Sequence, residues 1–283
     1  FNVKFINDVI HNIDEEIDLI GFHGQTIFHN SKIKVSKQLG DGKLLSSLIK
    51  KIVINNFRKN DLFHGGQGAP LTPIFHSLIS KIIRNKFKID FPLTVVNIGG
   101  ITNVTQIKNE SNSLNQNFFA YDIGPGNCLI DEWVRKHVNS SYDKNGSYAS
   151  SGKVDSLVLN QAIDNFELIS FDNSLDVKDF DLSFAKGLSF EDGCATLTKF
   201  TAFLISDGLK KISKKNNISL KNIILCGGGR KNVFLIKSIG EFLNDSNITI
   251  RDIDNYNFDG NFIESQAFAF LAIRSYLNLP ISY

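Results

Sequence analysis

The hydrophobic and polar positions of the chain alternate between strand-like and helix-like periods, most clearly in its second two thirds. A near-continuous apolar run at 93–98 predicts a strand buried on both faces, and 118–122 predicts a strand that ends in an aspartate. Apolar residues then recur at helical spacing through 128–133. A further short strand is predicted at 222–226, with a helical run after it. This alternation of strands and helices favours an α/β fold.

Capping residues and proline predict where several helices begin. Asp41 is expected to cap a helix, and Asp192 is expected to cap a long helix that carries an apolar stripe. Pro70 is expected in the first turn of another helix. Asn127 is expected to cap the helix that follows the aspartate-containing strand. The last apolar helix is predicted at 263–277.

Composition places the chain among ordinary globular proteins, because 42% of its 283 residues are hydrophobic, 21% are charged and the formal net charge is +2. So small a charge gives no indication of a nucleic-acid partner or an anionic membrane surface. No apolar run approaches the roughly 20 residues that span a bilayer. The cysteines, Cys128, Cys194 and Cys226, lie far apart in apolar contexts, which favours reduced, buried thiols in a cytoplasmic protein. The length predicts about two domains.

The segment around Asp122 carries the main candidate chemistry. Asp122 ends a predicted strand, and Gly124, Pro125 and Gly126 follow it. A carboxylate at a strand end, beside glycines that let a ligand approach the backbone, is typical of the ligand crevice of an open α/β sheet. A strand-to-helix turn in which an aspartate binds local amides has the same pattern, so both interpretations stay open here.

Two glycine clusters follow predicted strands. Gly99 and Gly100, with Thr102 and Asn103 after them, predict a tight hairpin whose amides and polar side chains suit phosphate. The glycines at 227–229 lie between a strand and a helix N-terminus, an arrangement that suits a nucleotide. The motif is neither the P-loop nor the Rossmann fingerprint.

Polar residues framed by glycines occur in the first third of the chain. The segment 21–26 contains a histidine, a glutamine and a threonine that suit a hydroxylated ligand, although a polar hairpin turn is the alternative. The segment 65–70 has the glycine content of a loop with unusual backbone angles or close approach. His76 is expected on a helix, where packing is favoured over catalysis.

Taken together, these stretches resemble anhydro-N-acetylmuramic acid kinases. The resemblance extends from near Phe22 to Pro280, and each segment alone is modest whereas the ordered set is specific. The segments are GFHGQTIFH, QLGDG, NNFRKNDL, GGQGAPLTPIFH, VVNIGGITNVT, YDIGPGNCLIDEW, YDKNGSYASSG, CGGGRKN and IESQAFAFLAIRSYLNLP.

The resemblance implies a two-lobed α/β fold like those of actin, Hsp70 and hexokinase, of the ribonuclease H-like type, with ATP in a cleft between the lobes. The first lobe is expected at 1–90, joined by a C-terminal helix at 263–283. The second lobe, with the nucleotide-binding elements, is expected at 91–262. The resemblance also suggests a homodimer, which no pattern in the chain demonstrates.

The implied reaction uses ATP and water to convert 1,6-anhydro-N-acetylmuramic acid into N-acetylmuramic acid 6-phosphate and ADP, in the recycling of cell-wall sugars. Asp122 would be the general base that takes a proton from the attacking water. Two glycines and one asparagine, Gly99, Gly100 and Asn103, would contact the cofactor's phosphates, with Mg²⁺ present. Three further glycines, Gly227, Gly228 and Gly229, would lie against adenosine, and Gly124 is also expected to bind the cofactor.

The sugar side of the implied site comes from the ends of the chain, and no protein ligand to the metal is assigned. The residues expected there are His23, Gln25, Gly68, Ala69 and Glu264. Two alternatives remain: another sugar or acid kinase of the same fold, and a non-catalytic sugar- or nucleotide-binding relative.

Two features depart from the family pattern. No phosphate loop of the Gly-Thr-Ser-x-Asp-Gly type occurs before Gly21, and the chain begins at Phe1 without methionine and stops at Tyr283. The chain is therefore expected to be a fragment, inactive by itself, of an active kinase. In the segment 171–177, the lysine and arginine expected from the family are absent.

Overall fold

The computed structural model describes residues 2–109, 118–166, 171 and 174–282. The chain divides into two compact units, Phe1–Phe75 with Glu264–Tyr283, and His76–Ile263. The expected lobe boundary between residues 90 and 91 stays a prediction. Residues 172 and 173 of the segment that departs from the family pattern lie outside the described residues.

Helices and strands are interleaved along the part of the chain that the structure describes, and they include the strands predicted at 93–98, 118–122 and 222–226. The helices are α1 (Asn2–His11), α2 (Gly42–Ile49), α3 (Phe57–Phe63), α4 (Pro73–Phe87), α5 (Cys128–His137), α6 (Ser147–Ser151), α7 (Ser156–Asp164), α8 (Phe190–Asn216), α9 (Val233–Leu243) and α10 (Ile263–Tyr276). The strands are β1 (Leu19–Gly21), β2 (Gln25–Asn30), β3 (Val35–Leu39), β4 (Ile52–Ile54), β5 (Leu93–Ile98), β6 (Ile101–Ile107), β7 (Phe118–Pro125), β8 (Asn222–Cys226) and β9 (Thr249–Asp252).

The first unit contains two small sheets. Strands β1 and β4 pair in parallel, and β2 and β3 form an antiparallel hairpin. Helix α10 belongs to this unit and packs closely on β1, because a Cβ on Gly21 would lie only 2.8 Å from the carbonyl oxygen of Phe268. Asp41 caps α2 as predicted, since its carboxylate accepts hydrogen bonds from the amides of Lys43 and Leu44.

The second unit is built on a five-stranded mixed sheet with the order β7-β6-β5-β8-β9. The pairs β5–β6 and β6–β7 are antiparallel, whereas the pairs β5–β8 and β8–β9 are parallel. The hairpin between β5 and β6 was predicted from Gly99 and Gly100 and is confirmed. The combination of this sheet with packed helices confirms the predicted α/β fold class.

Helices cover both faces of this sheet. One face forms an apolar core with α8 and α9, in which Val96 and Val104 of the sheet meet Ile205 of α8 and Leu235 of α9. Helix α4 lies against the other face, where His76 contacts Thr105 of β6. Since side chains alternate along a strand, residues on either side of Val104 point away from the α8 core. Within the described ranges, no helix combines the length and apolar character that crossing a membrane requires.

Two predicted helix starts, at Asp192 and Pro70, are wrong in detail, and the predicted cap position of Asn127 is confirmed. Ser189 caps α8, because its side chain accepts the amide of Asp192, and Asp192 lies in the first turn. Helix α4 begins at Pro73, so Pro70 precedes it. Asn127 occupies the cap position of α5, but its side chain makes no capping hydrogen bond. At α8 and α5, contacts with distant parts of the chain decide which groups cap the helix: Asp192 accepts the amide of Lys153, and the carbonyl oxygens of Gly99 and Gly100 accept the first amides of α5.

His76 is packed in the interior of the second unit, as the sequence favoured, with 1% of its surface exposed. Its Nδ1 lies 2.8 Å from the Thr105 hydroxyl. Burial lowers the pKa of His76 from 6.5 to about 4, because the charged imidazolium would lose its hydration. Between these two pH values the unfolded chain binds a proton that the folded chain does not, so the folded state loses stability as the pH falls.

We expect His76 to lower the free energy of unfolding by about 3 kcal/mol as the pH falls through this window, at about 1.4 kcal/mol per pKa unit. Urea unfolding at a series of pH values measures this slope. His76→Gln should reduce the total change in unfolding free energy over this window by about 3 kcal/mol, whereas His64→Gln, at an exposed position, should leave it in place. Part of the slope remains in His76→Gln, because the pKa of His23 is lowered to about 4 as well. A His76→Gln protein with the slope of the parent would contradict the prediction.

Candidate functional site

Asp122 lies in β7 directly opposite Asn103 of β6. The register shifts at this point, so that Ile123 is an additional residue between the pair Asn103–Asp122 and the pair Thr102–Gly124. Such a bulge re-aims the side chains of the bulged strand. Asp122 is 9% exposed, and its Oδ2 accepts a hydrogen bond from the amide of a residue far along the chain, Leu175, at 2.9 Å.

Asp122 belongs to a row of polar side chains that crosses the sheet. Asn103 is paired with Asp122 on one side and with Asn97 of β5 on the other, and Asn97 is paired with Cys226 of β8. Directly opposed residues project to the same face of a sheet. Because Val104 faces the apolar core with α8, this row lies on the opposite face. The carboxylate therefore stands beside side-chain amides and not in the apolar core.

The turn between β5 and β6 is fastened to the start of α5 by backbone hydrogen bonds. The amides of Gly126 and Cys128 donate to the carbonyl oxygen of Gly100 at 2.9 and 3.3 Å, and the amide of Asn127 donates to that of Gly99 at 2.7 Å. These carbonyls satisfy amides that a helix start otherwise leaves unpaired. The same amides are consequently occupied, so a phosphate group has to use other donors.

Asn127 lies between the two glycine clusters. Its Nδ2 lies 3.5 Å from the carbonyl oxygen of Ile98, and its Oδ1 lies 3.1 Å from where a Cβ on Gly229 would be. Gly227 has a φ of +80°, and a Cβ there would lie 2.5 Å from Oδ1 of Asn97. The loop after β8 is therefore packed directly against the end of β5 and the start of α5. The structure brings both predicted glycine clusters into one place.

Some of these glycines have space on the side where a Cβ would stand. The nearest atoms lie 3.5 Å from that position at Gly99, 4.0 Å at Gly100 and 3.9 Å at Gly228. Gly124 is different, because it is buried and its Cβ position lies 3.5 Å from Cβ of Leu204 on α8. The small size of Gly124 thus serves helix packing, and its expected role in binding the cofactor stays a prediction.

In the first unit, Arg58 joins two of the residues expected near the sugar. Its Nε donates to Nε2 of His23 at 3.1 Å, and its Nη1 donates to the carbonyl oxygen of Gly68 at 2.7 Å. Since arginine can only donate, Nε2 of His23 is the acceptor, and Nδ1 carries the proton that is donated to the carbonyl oxygen of Gly24 at 2.8 Å. Burial, with the Arg58 charge as a smaller cause, lowers the pKa of His23 to about 4. His23 is therefore neutral at pH 7.

The other residues expected near the sugar make no hydrogen bond to Arg58 or His23 among the contacts that the structure describes. Gln25 is exposed on β2, and its side-chain amide donates to the carbonyl oxygen of Thr26 at 3.4 Å. Glu264 is exposed in the first turn of α10, one turn before Phe268, whose ring lies 4.2 Å from that of His23. Ala69 follows Gly68 and is half-buried. Their roles toward a sugar stay predictions.

Sequence reasoning missed three groups of the candidate site. Arg58 looked like one of many scattered basic residues, although it stands near the glycine-rich loop at 65–70. Asn97 interrupts an otherwise apolar strand, and a polar residue inside such a run was a usable signal. The amide of Leu175 has no side-chain signature at all, so only the fold could find it.

Comparisons with known proteins agree on one family. The family model described as anhydro-N-acetylmuramic acid kinase matches residues 5–283. A curated protein of that name from Pelagibacter ubique is 53% identical over 286 residues, which cover 100% of this chain and 74% of the relative. Relatives of the same name from Zymomonas mobilis and Brucella canis are 38% and 36% identical, and the matches cover 95% of this chain in both cases and 70% and 69% of the relatives.

Among solved structures, the activator of the 2-hydroxyisocaproyl-CoA dehydratase from Clostridium difficile with bound ADPNP is similar with a TM-score of 0.44 and 16% sequence identity. The match covers 86% of this chain and 85% of that one. A likeness at this level carries no argument about the site.

Proposed function

The chain belongs to the anhydro-N-acetylmuramic acid kinase family, and from this premise we propose that it uses ATP to phosphorylate 1,6-anhydro-N-acetylmuramic acid while water opens the anhydro ring. The products are N-acetylmuramic acid 6-phosphate and ADP, in the recycling of cell-wall sugars. The observation that supports this most directly is that Asp122 stands in a polar row that runs to the two glycine clusters joined at Asn127.

Asp122 acts as the general base of the proposed reaction. Its carboxylate takes a proton from water as the water oxygen bonds to the anomeric carbon, and the bond between that carbon and O6 breaks. O6 then attacks the γ-phosphorus, and the bond between phosphorus and ADP breaks. The side-chain amide of Asn103, which is paired with Asp122, and that of Asn97 one strand further on give a polar setting, which suits an ionised carboxylate better than an apolar one.

The glycine clusters hold the nucleotide in this proposal. Gly99, Gly100 and Asn103 face the phosphates, and the loop at 227–229 lies against adenosine. Phosphoryl transfer depends mainly on positioning and charge neutralisation, which backbone amides without side chains in the way can provide. The open sides of Gly99, Gly100 and Gly228 fit such a ligand.

Magnesium enters the proposal through the phosphates. In the ranges 2–109, 118–166 and 174–282, together with residue 171, no cluster of three or more His, Cys, Asp or Glu residues is arranged to hold a metal ion. Mg²⁺ commonly keeps several waters and binds substrate phosphates with few protein ligands. A bound Mg²⁺ would neutralise charge on the transferred phosphoryl group.

On the sugar side, the proposal gives His23 an orienting role. Its two ring nitrogens are engaged by Arg58 and by the carbonyl oxygen of Gly24. A neutral histidine with both nitrogens engaged is not suited to proton transfer, but it fixes the guanidinium of Arg58, which also binds the carbonyl oxygen of Gly68. Gln25, Ala69 and Glu264 complete the proposed sugar side.

A cytoplasmic location and a homodimer are further parts of the proposal that rest on the resemblance. Cys128, Cys194 and Cys226 are free thiols, which is compatible with a reducing compartment.

In the direct test, the full-length protein is incubated with ATP, Mg²⁺ and the anhydro sugar, and the products are followed by mass spectrometry and ³¹P NMR. We expect an open-ring sugar phosphorylated at O6, formed in step with ADP. N-acetylmuramic acid without the anhydro bond is the matched control substrate. Turnover with other sugars alone would favour a different kinase of the same fold. Ligand-induced thermal stabilisation without ADP release would favour a binding protein.

A further inference from the structure

Residues 174–179 form a short segment that contacts both parts of the proposed reaction centre. The amide of Leu175 donates a hydrogen bond to Oδ2 of Asp122 at 2.9 Å. Two residues later, Cγ2 of Val177 lies 4.0 Å from where a Cβ on Gly100 would stand. The segment thus reaches from the carboxylate to the turn between β5 and β6.

This segment is held in place from both of its sides. Asp176 caps the 3-10 turn at Val177–Asp179: its Oδ1 accepts the amide of Lys178 at 3.0 Å, and Oδ2 of Asp179 accepts the amide of Asp176 at 2.7 Å. The side chain of Leu175 packs against the apolar cluster that includes Phe180. The position of the Leu175 amide is therefore fixed by a capped turn and by core packing.

We propose that the backbone amide of Leu175 is a positioning group for the reaction, which orients the carboxylate of Asp122 and favours its ionised form. The inference rests on the proposed function, in which Asp122 is the base. A hydrogen bond to an ionised carboxylate is stronger than one between neutral groups, and it stabilises the charged form. An amide cannot titrate, so the support it gives is the same at every pH.

The contact to Asp122 is made by main chain, so the side chain at 175 contributes through its apolar packing and not through the hydrogen bond.

Several titratable or charged groups stand on the elements around Asp122 and have to be considered in a pH experiment. Asp176 and Asp179 are engaged by amides of the segment itself. Other titratable or charged residues on these elements include Lys178 on the segment, His76 on α4, Cys226 on β8, and Asp207 and Lys211 on α8. A change confined to the amide of Leu175 leaves all of them in place.

The test replaces that single amide by an ester. Leucic acid, introduced at position 175 of the full-length protein by nonsense suppression, keeps the leucine side chain and removes the N–H. We expect the acidic limb of the kcat/KM profile for the anhydro sugar to move to higher pH by about one unit, equivalent to about 1.4 kcal/mol. The KM for ATP should change by less than about twofold, because the nucleotide contacts are untouched.

Position 157 offers a matched control. The amide of Leu157 also donates to an aspartate carboxylate, Oδ1 of Asp155 at 3.0 Å, but it does so at the exposed start of α7. Leucic acid at 157 removes the same kind of hydrogen bond, and its pH profile should coincide with that of the unmodified protein.

The outcomes separate this inference from the proposed function. An unmodified protein without kinase activity would refute the function itself. With an active parent, coinciding profiles for the esters at 175 and 157 would overturn the positioning role. Should the ester at 175 prevent folding, Asp176→Ala loosens the cap of the segment and is expected to move the acidic limb in the same direction. An unmoved limb in folded Asp176→Ala would then count against the inference.

Discussion

Replacing Asp122 by asparagine is expected to lower kcat by about 10²–10⁴-fold, which is the range for loss of a general base. A carboxamide has the shape of a carboxylate but cannot accept the proton of the attacking water. Its oxygen can still accept the amide of Leu175, so the local structure should persist. Steady-state ADP release measures the rate, and thermal unfolding followed by circular dichroism measures the fold.

Asp143 provides the matched control for this variant. It is also buried, with 5% of its surface exposed, and its carboxylate accepts the amides of Tyr148 and Ala149 at the start of α6. Asp143→Asn should lower stability and leave kcat within a few fold of the parent. An Asp122→Asn protein that turns over at the parent rate would place the base elsewhere, and one that unfolds would make Asp122 a structural residue.

Replacing Gly126 by alanine is expected to separate the hairpin turn from α5. A Cβ at Gly126 would lie 2.2 Å from the carbonyl oxygen of Gly99 and 3.3 Å from that of Gly100. Both atoms belong to the backbone, so the clash can be relieved only by moving the turn, which breaks the bonds that Gly126, Asn127 and Cys128 donate to it. We expect a loss of stability on the order of 3 kcal/mol and weaker nucleotide binding by about tenfold or more.

Urea unfolding and calorimetric titration with a non-hydrolysable ATP analogue check this prediction. Gly240→Ala is the control, because Gly240 lies within α9 and its Cβ position has no atom within 4 Å. That substitution should stabilise the protein by about 0.5–1 kcal/mol. Unchanged nucleotide affinity in Gly126→Ala would show that the junction does not position the nucleotide site.

The part of the fold that sequence predicted well depends on local pattern. Strands β5 and β8 could be predicted from their own residues alone, because a strand that is buried on both faces is apolar along nearly its whole length. The start of α8 shows the limit. Ser189 and Asp192 are both good capping residues, and the sequence cannot decide between them; in the fold, the carboxylate of Asp192 accepts the amide of Lys153 and is used elsewhere.

In the candidate site, too, some residues could be predicted from local pattern and others could not. Asp122 and the glycine clusters could be predicted because each stands at the end of a strand, where the chain pattern changes. The groups that support them could not, because they depend on tertiary contacts. The side chain of Asn127 was expected to cap α5. Instead, the carbonyl oxygens of Gly99 and Gly100 accept the first amides of the helix, and the side chain of Asn127 lies between the two glycine clusters.

The capping of α5 by the carbonyl oxygens of Gly99 and Gly100 also has a consequence for spectroscopy. The turn and the helix have to move as one body, and the chain's single tryptophan, Trp133, lies on that helix with its indole N–H bound to the carbonyl oxygen of Phe190 at 2.9 Å. A displacement of the turn would alter the surroundings of this indole. Its fluorescence is thus a built-in optical reporter of events at the turn, with no label required.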